Sequence, residues 1–177
     1  MSIRDRNITI DVADNKTLTY SGAAISLGAN TLTLSGGGSL VSGGLTLNDP
    51  SSMLLLNSIT VDNVSTSSGS LGLDVDNDST VTSLSVAHIT PVSIASGSTL
   101  SGAITVSAGS IKLAETGTLA SSISMSGGKI DADNSLTVSG ALTQSGNITI
   151  DVAYNKTLTY PGASLSLAAY TLPLSGR

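Results

Sequence analysis

Few residues in this 177-residue chain are of types that do chemistry, and those few stand apart. The sole histidine, His88, lies in Val86-Ala-His-Ile-Thr-Pro91, and the nearest acidic residue along the chain is Asp78. Hydrolytic triads and most metal sites hold a histidine beside such partners, so His88 reads as a turn or outward-facing residue. The densest acidic run is Asp74-Val-Asp-Asn-Asp78. Its alternate carboxylates are the hard oxygens that Ca²⁺ takes, but an EF-hand needs Gly at position six and Glu at position twelve. Here those positions hold Ser79 and Ser85. On a strand, Asp74, Asp76 and Asp78 would face outward with Val75 and Asn77 inward. In a loop the three could converge on a cation. They are the candidate metal ligands, Ca²⁺ is the one cofactor they suggest, and a solvated turn is the plainer expectation. Lys129, Asp131 and Asp133 read as a polar corner.

The basic residues form no constellation either. Arg4, Arg6 and Arg177 lie at the ends, and the four lysines are scattered. Cysteine is absent, which removes disulfides, thiolate catalysis and Cys-ligated metals together. A net charge of −5 gives no electrostatic footprint for nucleic acid or an anionic membrane. No apolar run approaches the ~20 residues of a spanning helix, so membrane insertion is not expected. Residues 1–6 form a tail without the apolar stretch of a signal peptide.

The elements that position these residues follow from hydrophobic spacing. Apolar residues recur two apart around a hydroxyl, as in Ile8-Thr-Ile10, Leu32-Thr-Leu34, Leu45-Thr-Leu47, Ile104-Thr-Val106, Ile123-Ser-Met125 and Ile148-Thr-Ile150. Alternation along a strand turns two aliphatics inward and one hydroxyl outward. Ser-Gly, Gly-Gly and Asn-Asp-Pro segments between them are turn chemistry. A longer period overlies the short one: Leu100, Ile104, Val106 and Ile111 recur at Leu119, Ile123, Met125 and Ile130, each 19 positions later. Leu18 to Leu40 is 22. Three short strands per 19–22 residues predict an all-β fold, a single-stranded, right-handed parallel β-helix of about nine three-sided coils. Residues 7–177 would form that one domain. Aromatics are only 2% of the chain, with no Phe or Trp, as stacking of like residues in a narrow core demands.

The most specific feature is a near-duplication. Residues 7–36 and 147–176 are identical at 23 of 30 positions. Either a 140-residue super-repeat begins again, or the two ends match so that subunits stack end to end as a homo-oligomer. Ser21 and Thr33 become Pro161 and Pro173 in the second copy. Proline lacks a ladder donor, so the second copy is expected to blunt an exposed final coil.

Units such as Ala-Ile-Ser-Leu-Gly-Ala-Asn-Thr-Leu-Thr-Leu-Ser-Gly-Gly-Gly-Ser-Leu resemble the β-helical repeats of bacterial surface adhesins. They are similar to autotransporter passenger domains and filamentous-haemagglutinin-like exoproteins. The resemblance runs from about residue 7 to the end and implies an extracellular or cell-surface rod that meets a host or matrix surface ligand. It assigns no functional residue. The expectation is a non-enzymatic structural or adhesive segment. The alternatives are a filament subunit stacking head to tail and a carbohydrate- or ice-binding solenoid. Thr17, Thr19, Thr31 and Thr33 suggest an ice-binding array, but the two pairs are 14 residues apart and fall on different faces of one coil. Glycan-cleaving β-helices set carboxylates or an arginine with lysines along one face, a pattern missing here.

Overall fold

The computed structural model describes residues 7–113, 117–162, 170–171 and 173–176. All regular structure among them is strand, and every ladder is parallel. No helix among the described residues is long and apolar enough to cross a membrane.

The first coil contributes β1 (Ile8–Asp11), β2 (Thr17–Thr19) and β3 (Ile25–Ser26). The second has β4 (Thr31–Ser35), β5 (Ser39–Val41) and β6 (Leu45–Leu47). The next three have two strands each: β7 (Met53–Asn57) with β8 (Thr60–Thr66), β9 (Gly72–Val75) with β10 (Ser79–Val86), and β11 (Thr90–Ile94) with β12 (Thr99–Val106). The three-strand pattern then returns in β13 (Ser110–Leu113), β14 (Thr118–Leu119) and β15 (Ser122–Met125). It continues in β16 (Lys129–Ala132), β17 (Leu136–Val138) and β18 (Leu142–Gln144). The last coil has β19 (Thr149–Val152) and β20 (Leu158–Thr159), and β21 (Leu174–Gly176) starts another. The chain is a β-solenoid of about eight turns. At ~4.8 Å per strand step, the rod is about 40 Å long.

One side is a nine-stranded sheet, β1-β4-β7-β9-β11-β13-β16-β19-β21. The other two sides belong to a single twelve-stranded sheet. In the middle coils these sides merge, because β8 pairs with both β5 and β6. Three separate short strands per coil therefore hold only toward the ends. At the ends, corners such as Ser42-Gly43-Gly44 interrupt pairing, whereas the middle corners stay in the ladder and turn by a bulge between Val81 and Ser83. Gly102, paired with Val81, makes that bend at φ 130°, and a Cβ there would collide with the Val81 carbonyl oxygen. Only glycine takes such a backbone readily.

The 19-residue register appears as ladder pairs: Leu100↔Leu119, Ile104↔Ile123, Val106↔Met125 and Ile111↔Ile130. All eight residues are buried, and Leu18 pairs with Leu40 across the predicted 22. The core is a set of columns, one being Ile25–Leu45–Val64–Leu84–Ile104–Ile123–Leu142. Each like-on-like step buries branched aliphatic surface, about 1.5–3 kcal/mol per side chain.

Candidate functional site

The acidic run is split between strand and turn. Asp74 lies on β9, whereas Asp76, Asn77 and Asp78 occupy the exposed turn before β10. Asn77 does not face inward as expected of a continuous strand, because the strand ends at Val75. Its Nδ2 donates to Asn57 Oδ1 of the coil before at 2.9 Å. Asp78 Oδ1 accepts the Thr99 N–H at 2.8 Å, so this carboxylate ties one turn to the next coil. Among the described residues, no group of three or more His, Cys, Asp or Glu side chains is placed to hold a metal ion. His88 lies exposed in the turn between β10 and β11, and its carbonyl accepts the Thr90 hydroxyl at 3.1 Å.

The threonine pairs part as expected. Thr17 and Thr19 belong to β2 in the twelve-stranded sheet, and Thr31 and Thr33 to β4 in the nine-stranded one. Above Thr33 the outward column continues with Leu55, Asp74 and Ser93, so the hydroxyl array does not extend.

The charged residues gather elsewhere. Lys129 and Asp131 are not at a corner but on β16, on the outer face of the nine-stranded sheet. Lys112, Asp131 and Asp151 stack in successive coils as ladder partners. Lys129 Nζ lies 2.8 Å from Asp151 and 3.3 Å from Asp131, and Lys112 pairs with Asp133 at 2.9 Å. The hydrogen bond to Asp151 raises the Lys129 pKa above its ordinary 10.5, and Asp131 adds to the effect against the opposing cost of burial. Two lysines thus compensate three stacked or flanking aspartates. Lys112 and Asp151 stood outside the polar group read from the sequence, although the 19–20-residue period places them beside Asp131. Every acid in the cluster is held by a neighbouring group.

The two ends repeat one another in detail. Asn15 and Asn155 both adopt positive φ, 58° and 55°, in turns closed by Lys16 N–H to Ala13 and Lys156 N–H to Ala153, each at 3.0 Å. Asparagine tolerates this left-handed backbone better than most residues. The Thr31 N–H donates to Asn7 Oδ1 at 2.9 Å, and the Thr171 N–H to Asn147 Oδ1 at 3.1 Å. Ile10 pairs with Leu34 and Ile150 with Leu174, the same step in both copies. Their surroundings differ. Ile148 and Ile150 are buried on the preceding coil, while Ile8 and Ile10 are only half-buried and Leu18 is 42% exposed. At the other end an apolar cavity of about 350 Å³ opens among Ile130, Val138, Leu142, Ile150, Leu158 and Tyr160. In the first copy Leu40 of the next coil seats on Leu18, the counterpart of Leu158.

The prolines do not blunt this end. Residue by residue, a parallel strand points its N–H and C=O alternately to either neighbour. The Pro173 carbonyl accepts the Ile150 N–H at 3.1 Å, so residue 173 addresses the coil before it. Its missing N–H is lost from the interior, and Leu174 and Gly176 are the positions that address the outer edge. Pro161 likewise leaves the Tyr160 N–H in place, whose counterpart on Tyr20 donates to Val41 of the following coil at 2.8 Å. The expected edge protection is therefore absent at both positions.

No family model matches the sequence, and neither a curated protein nor a solved structure matches it.

Proposed function

We propose that this chain is a non-enzymatic, extracellular rod segment of a bacterial surface adhesin or fibre, acting by length and repetitive surface. The observation that supports this reading is the uninterrupted nine-stranded parallel ladder with its aliphatic inner face. Such a stack holds its two ends at a set separation, and its Ser/Thr flanks offer repeated hydroxyls to a surface. Long-range order comes from neighbouring coils alone, as in other repeat proteins. Antibodies raised against the folded chain test the location. Labelling of intact, unpermeabilised cells of the source organism is expected. Labelling that appears only after permeabilisation overturns the reading. Binding of the purified rod to matrix proteins and host cells, measured against a glycan array and thermal hysteresis, separates adhesion from sugar or ice recognition.

A further inference from the structure

We propose that residues 7–36 of one chain replace residues 147–176 of another, joining copies into a continuous rod by exchange of end coils. The inference goes beyond the rod reading and does not depend on where the rod is displayed. It rests on the platform formed by residues 128–144, on which the last coil sits. The Lys129 ammonium bonds Asp151 at 2.8 Å, and Gly128 and Ala132 carbonyls accept the Thr149 and Ala153 N–H groups at 3.1 and 2.9 Å. Leu136 N–H donates to the Thr157 carbonyl at 3.0 Å, and Ser135 Oγ accepts the Thr157 N–H at 3.1 Å. The Leu142 N–H donates to Tyr160 Oη at 3.3 Å, and Gln144 Nε2 to the Thr171 carbonyl at 3.0 Å.

Every one of those partners has an identical residue 140 positions earlier: Asp11, Thr9, Ala13, Thr17, Tyr20 and Thr31. The inward residues match as well, Ile8, Ile10, Val12 and Leu18 standing for Ile148, Ile150, Val152 and Leu158. The described positions that differ, Tyr154, Pro161, Tyr170 and Pro173, are exposed and are not among the platform partners named above. The platform therefore presents the same bonds to either copy.

Exchange changes what surrounds them. The incoming Ile8, Ile10 and Leu18 gain the covering coil that buries Ile148 and Ile150. Leu40, which already sits on Leu18, covers the place of Leu158, one of the residues that line the cavity. Thr33 supplies the N–H that Pro173 lacks. The displaced segment loses its packing and regains chain entropy. Each joined chain offers its own platform to another, and this head-to-tail, heterologous relation grows as an open filament.

The chain has no cysteine, so paired cysteines report the contact without background. Thr137 and Thr159 are ladder partners, whereas Thr19, the counterpart of Thr159, lies six strand steps from Thr137, roughly 30 Å. The full chain carrying Thr19→Cys and Thr137→Cys, oxidised to the disulfide, is expected to give a ladder of covalent oligomers. The Thr137→Cys, Thr159→Cys chain calibrates the oxidation by intrachain closure. Simple end-to-end stacking leaves positions 19 and 137 of adjacent chains at least two steps apart, beyond the reach of a disulfide. Adding Ile150→Asp, which weakens the resident coil, is expected to raise the ladder severalfold. Ile10→Asp, the same change in the other copy, is expected to abolish it. No intermolecular product in the Thr19→Cys, Thr137→Cys chain overturns the proposal, as does an equal effect of Ile10→Asp and Ile150→Asp. If circular dichroism shows that Ile150→Asp unfolds the whole rod, the parent double-cysteine chain decides alone.

Discussion

The Lys129 ammonium donates to the Asp151 carboxylate across one coil step at 2.8 Å, with Asp151 almost fully buried. Asp131, the ladder neighbour of Asp151, shares the same cation. In a parallel stack like charges come as close as the strands do, and here one lysine holds two of them. Replacing Lys129 with Met leaves adjacent carboxylates without it. The expected loss is about 2 kcal/mol, below the ~3–5 of a fully buried pair because the lysine is partly exposed. Lys112→Met, at a more exposed pair, is expected to cost at most ~1 kcal/mol. Urea denaturation followed by circular dichroism checks the order.

The same pair sets a pH dependence. The Lys129 pKa is raised in the folded chain, first by its bond to Asp151. A raised lysine binds its proton more tightly when folded, so its contribution is fully present below the ordinary value of 10.5. It is lost as pH climbs through the higher folded value. The stability gap between the parent and Lys129→Met should therefore stay constant from neutral pH to about 10 and narrow above it. A gap that widens with alkali contradicts the assignment.

Ile104 and Thr105 are neighbours on β12 with opposite fates, the first buried in a column and the second exposed. Ile104→Ala is expected to cost about 2–5 kcal/mol through its cavity. Thr105→Ala should stay within about 0.5 kcal/mol. Ile104→Asp should unfold the middle coils, because a buried carboxylate without a partner is severely penalised. Equal losses at the two sites contradict the facing.

Gly102 allows the continuous strand to turn the corner between two sides. Gly102→Ala places a Cβ against the Val81 carbonyl and strains a backbone at φ 130°. The expected cost is above the ~1–2 kcal/mol that a left-handed backbone alone imposes on a residue with a Cβ. Gly97→Ala is the comparison, since that position is open although its φ is also positive. Thermal melts of the two variants separate the clash from the backbone term.

Ca²⁺ is expected to leave the melting temperature unchanged, as is chelation. Asp78 is committed to the Thr99 N–H, and Asp74 is on the sheet while Asp76 is in the turn. A saturable rise in melting temperature with millimolar Ca²⁺, lost in Asp78→Asn, would assign this run a metal.

Period-two alternation and the 19-residue return of Leu100, Ile104, Val106 and Ile111 were enough to set the fold class and the inward residues. Both are local consequences of strand geometry and of stacking equal coils, and a core made of columns writes itself into the sequence as a period. The near-duplication was legible in the same way, as was the separation of Thr17 from Thr31 on different sides. The tertiary structure decided what depends on direction rather than on spacing. Which outward side chains meet depends on coil lengths that vary between 19 and 24 residues, so Lys129–Asp151 and Lys112–Asp133 emerge only once the ladders are in register. Where the strand stops after Val75 decided that Asn77 turns outward. The side to which residue 173 presents its peptide group decided that its proline leaves the outer edge open. That choice follows from the parity of the ladder, which no single strand reveals by itself.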